Sequence, residues 1–232
     1  MTQPRNTAPS PPKRRDAQRN RQKILNAARC LFATHGANAS LDAVACRAEV
    51  GSGTLYRHFP TRESLVAALL REEYQAFHSV LDQALAHEDG WDGLCHYLEQ
   101  LCSTQISDQH LGVGLTLAVP GDREVEAVRA SLREKMVDLL GRAQAQGSLR
   151  GDITPEDLAL ISWGMAGVIS ATVAVVPGVW RRYLGLTLDG LRAGSAHSLP
   201  EPPLTQRQHF RVSLRASEPK PRARRKRSSE PR

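Results

Sequence analysis

Residues 51–65 read GSGTLYRHFPTRESL. A core helix is seldom this polar, and a solvent loop seldom carries two aromatic rings beside a proline. Leu55 and Phe59 stand four apart, so a short helix here turns both inward and holds itself on a neighbouring element. Thr54, Tyr56, Arg57 and His58 are then left with donors that have no work in a core. Pro60 ends the helix, because proline removes an N–H and biases the residue before it out of the helical region. A nucleotide-phosphate loop is a poor reading, since Gly-Ser-Gly-Thr has no following lysine and no preceding strand.

Working outward, Glu49-Val50-Gly51 forms a tight connection back to a short helix striped by Leu41, Val44, Ala45 and Ala48, with Ser40 as its N-cap. Before that, a helix starting near Asp16 carries Ile24, Ala28, Leu31, Phe32 and His35 on one stripe until Gly36 stops it. Two short helices joined by a tight turn and braced by a preceding helix make a helix-turn-helix.

Residues 18–70 resemble the TetR family of bacterial transcription regulators. The resemblance rests on Arg19–Lys23, Ala27-Ala28-Arg29-Cys30-Leu31-Phe32, Gly36, Gly53-Thr54-Leu55-Tyr56-Arg57-His58-Phe59, and Arg62 followed by Glu63 and Leu65. Glu49 departs from it, standing where the family usually has glycine. If that position needs a positive φ, Glu49 stores strain. The resemblance implies a helical body behind the DNA-binding domain, a homodimer, and a repressor released by a small molecule. It also implies phosphate contacts from Thr54, Tyr56 and His58. The residue chemistry agrees, with Ser52 and Gly53 small enough to let the backbone approach DNA and Arg57 the one forked donor for a base edge. Ser40 and Arg62 add phosphate contacts, and Lys13, Arg14, Arg15, Arg19 and Arg21 form an arm for an adjacent groove. The operator is then palindromic double-stranded DNA.

Charge follows the same division. Residues 1–70 carry +7, residues 71–194 carry −7 and residues 195–232 carry +7. Basic ends around an acidic middle fit ends that meet a polyanion, or simply solubilising tails. Residues 1–17 read as a disordered basic arm, 18–65 as the helix-turn-helix domain, 66–194 as a helical body, and 195–232 as a disordered basic tail. The tail is either a non-specific polycation or a solvated end. A non-specific DNA or RNA binder using these tails is the alternative function.

The body reads as further helices, about nine in the whole chain, with no strand. Thr61 caps a long helix to about His87; Trp91, Leu94, Leu98 and Leu101 stripe the next; 108–119 is irregular or a short helix. Asp122 caps a helix ending near Gly147, and Thr154-Pro155 opens one running to about Val176. A last helix carries Trp180, Leu184, Leu188 and Leu191. Large apolar side chains at Trp91, Leu98, Cys102, His110, Met136, Trp163 and Met165 are candidates for an effector pocket, with ordinary core packing the competing reading for each. Gly164, Gly167, Ala171 and Ala174, with Trp180, Leu184 and Leu191, are candidates for a dimer interface.

Leu158–Trp180 holds 23 uncharged residues before Arg181-Arg182, the look of a membrane span, but its serines, threonine, proline and glycines favour a buried interface helix. Cys95 and Cys102 share a face near His96 and His110, a pattern that buried free thiols explain better than a metal site. No nucleophile–base–orienter set appears, so neither an enzyme, a metal nor a cofactor is expected. Without an apolar leader, the chain reads as cytoplasmic and nucleoid-associated in a bacterium.

Overall fold

The computed structural model describes residues 11–35, 39–107 and 122–216. Nine α-helices occupy them: α1 Pro11–His35, α2 Leu41–Arg47, α3 Ser52–His58, α4 Arg62–Leu85, α5 Gly90–Ser107, α6 Arg123–Ala145, α7 Pro155–Thr172, α8 Val179–Leu191 and α9 Gln206–Ala216. The fold is all-α. The stretch 108–119 and His110 lie outside the described residues.

Side-chain caps fix where the helices begin. The Ser40 hydroxyl accepts from the Asp42 N–H, and Asp122 accepts from the Glu124 and Val125 N–H groups. Thr61 with Ser64, and Thr154 with Asp157, close reciprocal capping boxes; Pro155 occupies the first turn, where its missing N–H costs nothing. Between α2 and α3 the chain reverses in a Schellman turn, with Val50 N–H bonded to Ala45 O and Glu49 N–H to Cys46 O. Glu49 sits there at φ 55°, the left-handed region that side chains avoid.

α4 joins the DNA-binding motif to the body without a break, running straight through the boundary expected at 65/66. Leu65, Val66, Ala67, Ala68, Leu69 and Leu70 are all buried, so this part of α4 is enclosed on every side rather than on one stripe. The first three helices and the body therefore share one continuous hydrophobic core. Farther along, α4 and α6 lie side by side in the same direction: Arg71 meets Asp122, Tyr74 meets Arg129, Asp82 meets Lys135, and Arg142 donates to the Leu85 carbonyl. α5 packs backbone-close against both. A Cβ at Gly93 would stand 2.4 Å from the Ala84 carbonyl oxygen, and one at Gly90 2.6 Å from the Ala143 nitrogen.

Three boundaries differ from the sequence reading. α1 starts at Pro11 rather than near Asp16, since prolines are tolerated in a first helical turn. α7 ends at Thr172 rather than Val176. The β-branched residues Thr172, Val173, Val175 and Val176 give way to turns that close on the Thr172 carbonyl. Leu158–Trp180 is thus two helices and a bend, and no helix among the described residues is long and apolar enough to cross a membrane.

The third difference is α9, a helix inside the segment expected to be disordered. Thr205 and Gln208 cap it reciprocally, with Thr205 N–H to Gln208 Oε1 at 2.8 Å and Gln208 N–H to Thr205 Oγ1 at 3.3 Å.

Candidate nucleic-acid interface

α3 divides as its sequence demands. Leu55 and Phe59 are buried against α1 and α2, while Ser52, Gly53, Tyr56 and Arg57 are exposed; Thr54 and His58 are half-buried at the edge. A Cβ added at Gly53 meets nothing within 4 Å, so nothing inside the chain requires glycine there. Gly51 caps α3 without a side chain, and the Ser52 hydroxyl reaches back to Asp42 Oδ1 at 3.5 Å. Ser40 is exposed at the start of α2 and Arg62 half-buried at the start of α4, both on the flanks of α3. Arg15 and Arg19 lie exposed on α1, where Arg19 pairs with Asp16 at 2.9 Å; Arg14 is on the same helix, its side chain outside the described set.

Arg21, expected in the basic arm, is turned inward instead. Its guanidinium sits 5.4 Å from the Phe59 ring centroid and its Nη1 donates to Glu72 Oε1 at 3.1 Å. Arg29 donates to the other Glu72 oxygen at 3.3 Å. The neighbouring residue Arg71 reaches the other way, to Asp122 at 3.1 Å and Glu124 at 2.9 Å. Consecutive residues of α4 thus grip the DNA-binding motif on one side and the mouth of α6 on the other. Local sequence pattern carries no sign of ion pairs that span some fifty residues.

Family comparison agrees with this geometry. The model for bacterial regulatory proteins of the tetR family matches residues 24–69, and that for the C-terminal domain of SbtR-like transcriptional regulators matches residues 90–193. The chain belongs to the TetR family. Among curated relatives of this TetR-family protein, the HTH-type transcriptional regulator UidR of Escherichia coli (strain K12) is 26% identical over 151 residues, 61% of this chain and 72% of UidR. The HTH-type transcriptional repressor KstR of Mycobacterium tuberculosis is 31% identical over 136 residues, 57% of this chain and 62% of KstR. The solved structure of the ketosteroid transcriptional regulator KstR2 of Mycobacterium tuberculosis shares the fold, with a TM-score of 0.58 at 21% identity over 74% of this chain and 94% of KstR2. This TetR-family chain is a DNA-binding transcriptional regulator.

Its body sorts the remaining candidates. Leu98 and Cys102 on α5 and Met165 on α7 are buried; Trp91 is buried with the Arg192 guanidinium 3.8 Å from its ring centroid. Burial pushes the Cys102 thiol up to about 11, and raises Cys95 as well, so both stay protonated near neutrality. Met136 and Trp163 are only half-buried, and Trp163 stacks on His209 of α9. Of these candidates, Trp163 alone is shown against α9, while Met136 packs on the edge of the core.

The dimer-interface candidates divide between the chain's own core and its surface. Trp180, Leu184 and Leu191 are 2%, 5% and 5% exposed and pack the chain's own core, so they have no surface to offer a second copy. The large apolar residues α8 leaves outside are Tyr183 and Leu186, the latter 61% exposed, beside the exposed Arg181 and Arg182. Gly164, Gly167, Ala171 and Ala174 are exposed, flanked by Leu160 and by Val175 at 82%.

Proposed function

We propose that this protein is a homodimeric, effector-responsive repressor that lays α3 in the major groove of an inverted-repeat operator. The outward face of α3 carries this reading: hydroxyl, phenol and guanidinium groups stand clear of a helix whose Leu55 and Phe59 are locked into the core. Tyr56, Thr54 and His58 hold phosphates, Ser52 and Gly53 let the backbone approach, and Arg57 reads a base. Ser40 and Arg62 add a donor and charge toward the phosphates, and Arg14, Arg15 and Arg19 reach an adjacent groove. The second copy joins through the small and apolar face of α7 and α8 formed by Leu160, Gly164, Gly167, Ala171, Tyr183 and Leu186.

An apolar effector bound in the body acts by favouring one position of α4 over another, which requires different affinity for the two. The Arg71–Asp122 and Glu72–Arg21/Arg29 pairs make α4 the member through which such a bias reaches α3. Acting on operator DNA, it works in the bacterial cytoplasm, associated with the nucleoid. Competition binding at fixed salt tests the core of the reading. One palindrome should win over bulk DNA or RNA by about a thousandfold or more. Tyr56→Phe should weaken binding to every sequence alike, while Arg57→Ala should relax preference at one base position by about tenfold. Equal affinity for palindrome and bulk nucleic acid would leave only a non-specific binder.

A further inference from the structure

The C-terminal helix α9 stands beyond residue 193, where the match to the C-terminal family domain ends. The chain reaches it through the exposed, proline-bearing stretch 196–204, pinned at its start where Arg150 Nη2 donates to the His197 carbonyl at 2.7 Å. None of the described side chains on α9 is fully buried, and a helix of 11 residues has little stability of its own. Two ring contacts seat it. His209 stacks on Trp163 of α7, centroids 5.5 Å apart at 22°. Phe210 covers the Arg129 guanidinium of α6 at 5.6 Å, whose other neighbour is the Tyr74 ring of α4 at 5.9 Å, with Arg129 Nε donating to the Tyr74 hydroxyl at 3.1 Å.

We propose that α9 is a detachable latch: seated, it ties α4 to α6 and α7 through the Phe210–Arg129–Tyr74 column, and its release loosens α4. The inference rests on the repressor reading for its consequence, because Tyr74 lies two residues beyond Glu72 and so next to the grip on α1. Seated α9 holds the two recognition helices at operator spacing; released, it lets operator affinity fall.

His209 makes the seat sensitive to acid. Its Nε2 is buried with no hydrogen-bond partner among the described residues. The charged groups acting on it are Glu156 on α7, paired with Arg133 of α6, and Arg129 on α6, which donates to Tyr74 of α4. Burial, the largest influence, holds its ring below the usual imidazole range; the Glu156 charge opposes it, and the smaller effect of the Arg129 charge adds to it. Free α9 therefore binds the proton better than seated α9. Seating is at full strength above the ordinary histidine value of about 6.5 and is lost as pH falls through the seated value.

Hydrogen exchange on the full chain without DNA, corrected for the intrinsic pH dependence, tests this with operator titrations beside it. Phe210→Ala should raise exchange in α9 and around Tyr74 by about tenfold, leave α2 and α3 unchanged, and weaken operator binding about fivefold. Lowering the pH from about 7.5 to 5.5 should do the same to the wild-type chain but not to His209→Phe, whose ring stacks without titrating. The melting temperature of each variant separates release from unfolding. Unchanged α9 exchange in Phe210→Ala overturns the latch, and so does a freed α9 with α4 exchange unmoved. A chain that binds no palindrome yet frees α9 and α4 together would support the latch and overturn the operator reading instead.

Discussion

α3 and α8 are both short helices with one buried face, and they differ in what the other face holds. α3 buries Leu55 and turns Tyr56 and Arg57 to solvent; α8 buries Trp180 and Leu184 and turns Tyr183 and Leu186 to solvent. An exposed face of donors with glycine at its start suits a charged, hydrogen-bonding partner. An exposed apolar face suits a second protein surface. The comparison teaches that α3 separates its inner and outer faces by polarity, whereas α8 keeps apolar side chains on both, with Arg181 and Arg182 beside the outer ones.

The difference can be broken at its strongest point. Leu184→Ala should destabilise the fold by about 3 kcal/mol, read in chemical denaturation, because it empties a core site. Leu186→Glu, two residues away, should leave that stability nearly intact and shift the sedimentation profile to monomer. Equal loss of stability in the two variants would erase the distinction between the inner and outer faces of α8.

On α3 the equivalent test separates fold from binding. Gly53→Leu should weaken operator affinity by about a hundredfold, about 2.7 kcal/mol, while the melting temperature holds, since an added side chain meets nothing of the chain itself. A collapse in stability would mean that glycine serves the fold. The smallest effect is expected at the turn before α3. Glu49→Gly should relieve the positive φ and stabilise by about 1 kcal/mol, raising the melting temperature by a few degrees.

The same contrast explains what sequence alone revealed. The helix starts at Ser40, Thr61, Asp122 and Thr154 were legible because capping chemistry is local. Glu49 was legible as a strained position only through the family resemblance, which has glycine there, and its φ of 55° meets that condition. The faces of α8 were not, since a stripe of Trp180, Leu184 and Leu191 has the same periodicity whether it meets its own chain or another. Arg21 was misplaced because its partners, Glu72 and Phe59, are distant in sequence. α9 escaped for a different reason: Thr205 and Gln208 spell a capping box, but the surrounding proline and arginine outweighed it in a reading by composition.

The unbroken passage of α4 through the join between DNA-binding motif and body turns a residue count into an angle. Each residue of an α-helix advances about 1.5 Å and turns about 100°. The DNA-binding motif is keyed to α4 by Leu65–Leu70 and, through α1, by Glu72, and the body by Tyr74, Phe77 and Leu81. One residue inserted between 72 and 74 would swing α3 about a quarter-turn around the α4 axis relative to the dimer face, with both halves still able to fold. Chain length between those two keys therefore sets the heading of α3 relative to the body.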